Sequence, residues 1–134
     1  MRGSSLFVAR LVLALTGLVA LSGCISLDTQ RARLIPVADL DSRGQIAVSR
    51  EVTATLSGGA VQTIASGSQW RRVGAIVQGD VYRPLDRGFT LQGARQVEAW
   101  LVIARARLVG FYLPGEQAFA PLKTPVALPV EMRQ

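Results

Sequence analysis

The sequence has no histidine, a single cysteine and a single lysine, and aromatic residues make up only 6% of it. Each scarcity removes a class of chemistry. Without histidine there is no Ser-His-Asp or Cys-His arrangement, and no imidazole to hold a metal. One cysteine cannot close an internal disulfide, so no disulfide framework holds the fold. The lone lysine, Lys123, lies in a proline-rich stretch and no Ser-x-x-Lys spacing occurs, which removes the usual Ser-Lys nucleophile. Ser57-Gly58-Gly59 lacks the lysine and the following helix of a phosphate-binding loop. The chain therefore carries no recognisable catalytic set, metal site or cofactor motif.

What is present is mostly apolar. Hydrophobic residues make up 49% of 134 residues, too many for a disordered tail and enough for one domain. Arg2 and Arg10 precede or flank an apolar stretch of eleven residues, Leu11 to Leu21. That length suits a secretory signal and falls short of the ~20 apolar residues of a bilayer span. Extending the stretch back to Leu6 places Arg10 inside it, which is costly at a span centre. A single anchoring helix is the alternative.

The segment Leu21-Ser22-Gly23-Cys24 resembles the lipobox of bacterial lipoproteins: leucine, a small residue, glycine or alanine, then cysteine. The resemblance covers the signal region alone and names no family for the remainder. It implies that the Cys24 thiol receives a diacylglyceryl group, that cleavage falls between Gly23 and Cys24, and that the new amine is acylated. Several acyl chains hold a protein firmly to a membrane, at ~0.8 kcal/mol per buried CH₂. The sorting rule of this class retains Asp after the cysteine at the inner membrane. Ile25 stands there, which favours the outer membrane, facing the periplasm.

Residues 1–23 thus read as signal peptide, 24–45 as a lipid-anchored flexible tether, and 46–134 as the folded domain. Cleavage removes Arg2 and Arg10 and leaves 13 basic against nine acidic residues, a net charge of +4. The arginines are scattered, and nucleic acid is not an expected partner. In the tether, charges alternate in sign and Pro36 stops any helix.

The domain reads as β throughout. Ile46, Val48, Val52, Ala54 and Leu56 share one parity, with Arg50 the exception. Ser57-Gly58-Gly59 supplies a turn that allows positive φ at both glycines, and Ala60 to Ser66 returns as a second strand. Trp70 to Gln78 is a third, with Gly74 a bulge or close-packing point. Short strands follow at Val81–Arg83 and Phe89–Gln92. Residues 95–113 fit either a hairpin turning at 104–107 or a helix, and the adjacent β-branched Val102 and Ile103 favour the hairpin. The four prolines from Pro114 to Pro129 predict an extended tail with at most an edge strand at Pro125–Val130. About seven short strands with frequent turns predict a small all-β domain, an antiparallel barrel or a two-sheet sandwich.

Candidate sites are few. Glu98 and Glu116 are the carboxylates that a hairpin would bring together for glycoside hydrolysis, although Glu98 lies on a polar parity. Phe111 and Tyr112 face opposite sides of a strand, so one is exposed unless both faces are covered. If that one is Tyr112, it forms a surface patch with Trp100. The expectation is a non-enzymatic lipoprotein, held in the membrane by acylated Cys24, that binds another envelope protein. The alternative is a module binding peptidoglycan, glycan or lipid, and a small hydrolase ranks last. Neither a cofactor nor an oligomeric state is indicated.

Overall fold

The computed structural model describes residues 28–37, 44–86, 88–91 and 96–133. The stretch expected to be a signal peptide, and Cys24, the residue expected to carry the lipid, lie outside them. In chain order the strands are β1 (Gln30–Arg31), β2 (Ile35–Pro36), β3 (Gln45–Val48), β4 (Val52–Thr55), β5 (Val61–Ile64), β6 (Gln69–Ile76) and β7 (Gly79–Pro84). They continue as β8 (Thr90–Leu91), β9 (Val97–Glu98), β10 (Trp100–Ala104), β11 (Arg107–Leu113), β12 (Ala118–Ala127) and β13 (Val130–Arg133). The fold is all-β, as expected, but the thirteen described strands exceed the expected seven. Four of them are only two residues long.

One antiparallel sheet runs β1-β12-β11-β10-β7-β6-β3-β13, with β2 also on β6. Its two ends are joined by very little chain. In a flat sheet β12 and β13 would stand six strand spacings apart, roughly 29 Å. Only Leu128 and Pro129 separate them in the chain, a reach of about 11 Å from Ala127 to Val130. The sheet is therefore rolled on itself.

The expected strand from Ile46 to Leu56 is broken at its one exception. The chain leaves β3 at Ser49-Arg50 and starts a separate hairpin, β4–β5. The parity survives the break, because Ile46, Val48, Val52, Ala54 and Leu56 are all buried in one core. Trp70, Leu101, Leu108, Phe111 and Leu113 complete that core from the facing strands. Of the two turn glycines, Gly59 alone takes a positive φ.

Residues 100–113 form the hairpin and not the helix. Ala104 pairs with Arg107 across a two-residue turn, Arg105-Ala106, with φ of 53° and 63°. Two consecutive left-handed residues make the hairpin turn that follows strand twist. The turn was hard to read because neither residue is Gly or Asn, the types that adopt this conformation without penalty.

The C-terminal expectation needs correction. The proline-rich stretch is no loose tail but the longest strand of the domain, ten residues, Ala118–Ala127. Pro121 stays in the ladder opposite Gly110, and Pro125 is accommodated by a bulge. Gly110 pairs with Pro121 and Leu108 with Val126, so Lys123, Thr124 and Pro125 loop out to solvent. A proline that would break a regular ladder fits such a bulge, where no N–H is demanded.

The tether expectation also changes. Residues 28–37 dock as a strap across the second face of the sheet. Gln30 and Arg31 pair with Phe119 and Ala118 of β12, while Ile35 and Pro36 pair with Ala75 and Gly74 of β6. Ala32 and Leu34 face inward and cover Ile76, Val81, Val102, Tyr112 and Phe119, a second apolar cluster. Gly74 makes this possible, since a Cβ there would lie 2.3 Å from the Ile35 carbonyl oxygen. It sits where the β6–β7 register shifts, as the sequence suggests for a bulge.

Two stability changes follow. Gly74→Ala is expected to lift the strap and cost about 1–3 kcal/mol; urea unfolding reads the loss, and faster exchange of the Val37 amide, which donates to the Val73 carbonyl at 3.0 Å, locates it. Arg105→Asn with Ala106→Gly is expected to stabilise the protein by about 1 kcal/mol and raise Tm by several degrees.

Candidate functional site

The strap decides what becomes of the expected aromatic patch. Trp100 and Tyr112 are directly paired across β10 and β11, with ring centroids 6.0 Å apart and tilted by 40°. The pairing read from the sequence is therefore present. The open patch is not, because Tyr112 is only 4% exposed beneath the strap. Phe111 is buried on the opposite face, so the sheet covers both neighbours. Trp100 is half-buried, and its Nε1 donates to Glu98 Oε1 at 3.2 Å.

Two concavities among the described residues bear on a site, and only the larger one reaches Tyr112. The larger, about 690 Å³, lies between the strap and the β11–β12 turn. Arg31, Arg33, Tyr112 and Glu116 line it, so both charge signs face the same space. The smaller, about 380 Å³, lies where β5, β6 and the segment after β7 meet. Trp70 and Phe89 line it edge to face, 5.5 Å between centroids, together with Ser66, Ser68 and Asp86. Trp70 is fixed there by donating from Nε1 to Ser68 Oγ at 3.0 Å. Ser68 Oγ in turn donates to the Ala65 carbonyl at 2.7 Å.

Of the two carboxylates considered for hydrolysis, Glu98 accepts from Trp100 and lines neither concavity, while Glu116 lines the larger one. Among the described residues no group of three His, Cys, Asp or Glu side chains is placed to hold a metal ion. No described helix is long and apolar enough to cross a membrane.

The strap was the feature missed by the sequence reading. Its signal was a short alternation: Arg31, Arg33 and Ile35 outward, Ala32 and Leu34 inward. The Trp70–Phe89 concavity had no such signal, because it is assembled from segments distant in the chain. The chain matches no protein-family model, no curated protein and no solved structure.

Burial raises the Tyr112 hydroxyl above the ordinary tyrosine value of 10.0. Tyr82 is raised as well, by burial first and by the Asp80 carboxylate second, with the Arg72 guanidinium pulling the other way. Below the ordinary value both states hold the proton and nothing changes. As pH rises past it, the unfolded tyrosines ionise while the folded ones resist, so stability falls. Tyr82→Phe with Tyr112→Phe is expected to flatten the loss between pH 9 and about 11, read by denaturant unfolding at each pH.

Proposed function

We propose that this chain is a lipid-anchored lipoprotein of the bacterial outer membrane, facing the periplasm, and that it serves as a non-enzymatic component binding another envelope protein. The observation that carries this reading is the segment Leu21-Ser22-Gly23-Cys24, placed directly after a short apolar signal. Ile25 supports the outer membrane over the inner. The docked strap adds a distance argument. From Cys24 to Gln30 the chain can reach at most about 20 Å, so an acylated Cys24 keeps the domain close to the bilayer. A partner then meets the domain near the membrane surface and not at the end of a long tether.

Replacing Cys24 tests the reading. The wild-type protein is expected to fractionate with the outer membrane and to crosslink in cells to a discrete envelope protein. Cys24→Ala is expected to lose both the fractionation and the crosslink. Retained membrane fractionation in Cys24→Ala would reject acylation as the anchor.

A second reading is favoured by the smaller concavity. Its volume of about 380 Å³, with two aromatic rings and several hydroxyls, falls within the usual range for small-ligand sites. A glycan fragment would stack on Phe89 and bond to Ser66 and Asp86. Thermal unfolding in the presence of peptidoglycan fragments is expected to show a raised Tm under this reading, reversed by Phe89→Ala.

A further inference from the structure

We infer that the tip of the β6–β7 hairpin and the outward edge of the strap form a docking surface for an anionic phospholipid bilayer. The inference rests on the lipoprotein reading, because it assigns which side of the domain lies against the membrane that Cys24 would enter.

The first observation is apolar exposure. Ile76 pairs with Gly79, so Val77 and Gln78 form the hairpin tip, and Val77 is fully exposed at 101%. A tip of this kind ordinarily carries polar or glycine residues. Ile35 on the strap is 68% exposed. It pairs with Ala75, two residues before Val77, so the exposed Ile35 side chain lies on the strap beside the end of β6 that leads into the tip.

The second observation is charge. Arg31 and Arg33 are exposed on the outward parity of the strap. Arg105 is exposed on the neighbouring hairpin tip, brought alongside by the pairing of Ile103 with Asp80. The acids of this region are Asp80, paired with Arg72 at 3.2 Å, Asp28 at the start of the strap, which accepts from Ser57, and Glu116, which shares the larger concavity with Arg31 and Arg33. Arg105 stands beside the apolar tip, and Arg31 and Arg33 lie along the strap. Arginine binds phosphate by its planar fork, and basic residues beside an anionic surface each add to binding.

The third observation is where the chain comes from. Gln30, near the start of the described chain, places its Oε1 3.5 Å from Gln78 Nε2 on that same tip. Cys24 precedes Gln30 by six residues, a reach of at most about 20 Å, so an acylated Cys24 holds a bilayer within reach of this tip. Arginines beside an apolar tip suit a headgroup layer with an acyl boundary beneath it.

The experiment uses the lipidated full protein in vesicles. Cys24 is consumed as a thioether in that form, so Val77→Cys carries a polarity-sensitive fluorophore at one position. Intact mass first establishes acylation. In vesicles with about 30% anionic phospholipid the label is expected to shift to the blue and to be quenched by lipid-borne quenchers. In zwitterionic vesicles both effects are expected to be weak. Arg31→Ser with Arg33→Ser is expected to lower the docked-to-undocked ratio about fivefold per arginine, with Tm unchanged. An acylated protein whose label stays in water in both vesicle types overturns the docking surface and leaves the lipoprotein reading standing. A blue shift that ignores lipid charge and the arginine substitutions overturns it too. An intact mass without acyl chains overturns the lipoprotein reading itself.

Discussion

The close passage of the Ile35 backbone over Gly74 is the constraint on which the rest of this domain depends. It lets a segment read as a linker become part of the sheet. Once Ile35 pairs with Ala75, and Gln30 with Phe119, residues 32–34 must cross the sheet between them. That crossing buries Ala32 and covers Tyr112, Val102 and Val81. Without it, one face of β10 and β11 would present a large aromatic and aliphatic surface to water, a state that monomeric proteins rarely tolerate. The same crossing sets the outward parity of the strap, and so decides that Arg31 and Arg33 stay accessible.

The rolled sheet solves a related problem at its other end. Two termini supply the two outer strands, β1 and β13. A short β1 and a bulged β12 give little regular ladder for another chain to extend. Gly110 contributes to the tight roll, since a Cβ there would meet the Ala120 carbonyl at 2.4 Å and the Phe119 ring at 2.6 Å. Backbone approach of this kind, and not a larger core, is how a small domain with few aromatics closes its interior.

Much of the fold was legible where local pattern and tertiary environment agree. The parity from Ile46 to Leu56 named the buried side chains even though two separate sheets share them. Gly74 was legible as a close-packing point, though its neighbour was not, because Ile35 lies far away in sequence. The proline count misled at the C-terminus: proline removes a donor, but a bulge removes the demand for one. The Arg105-Ala106 turn was obscured because its conformation is imposed by the flanking strands against the preference of both residues. Of the candidate site, the Trp100–Tyr112 pairing was readable from strand register, and its covering was not. No local signal in residues 31–35 announces which sheet they will meet.

The pairing of β3 with β13 has a consequence for how the chain comes into being. Gln45 meets Arg133 and Val48 meets Val130, so a strand near the start of the domain waits for one far along the chain. The strap likewise needs Phe119 and Ala118 before it can dock. Such long-range closures are slow to form and are unavailable to a partly made chain. The local hairpins β4–β5, β6–β7 and β10–β11 need no distant partner, so these two long-range closures come last and set the pace at which the fold completes.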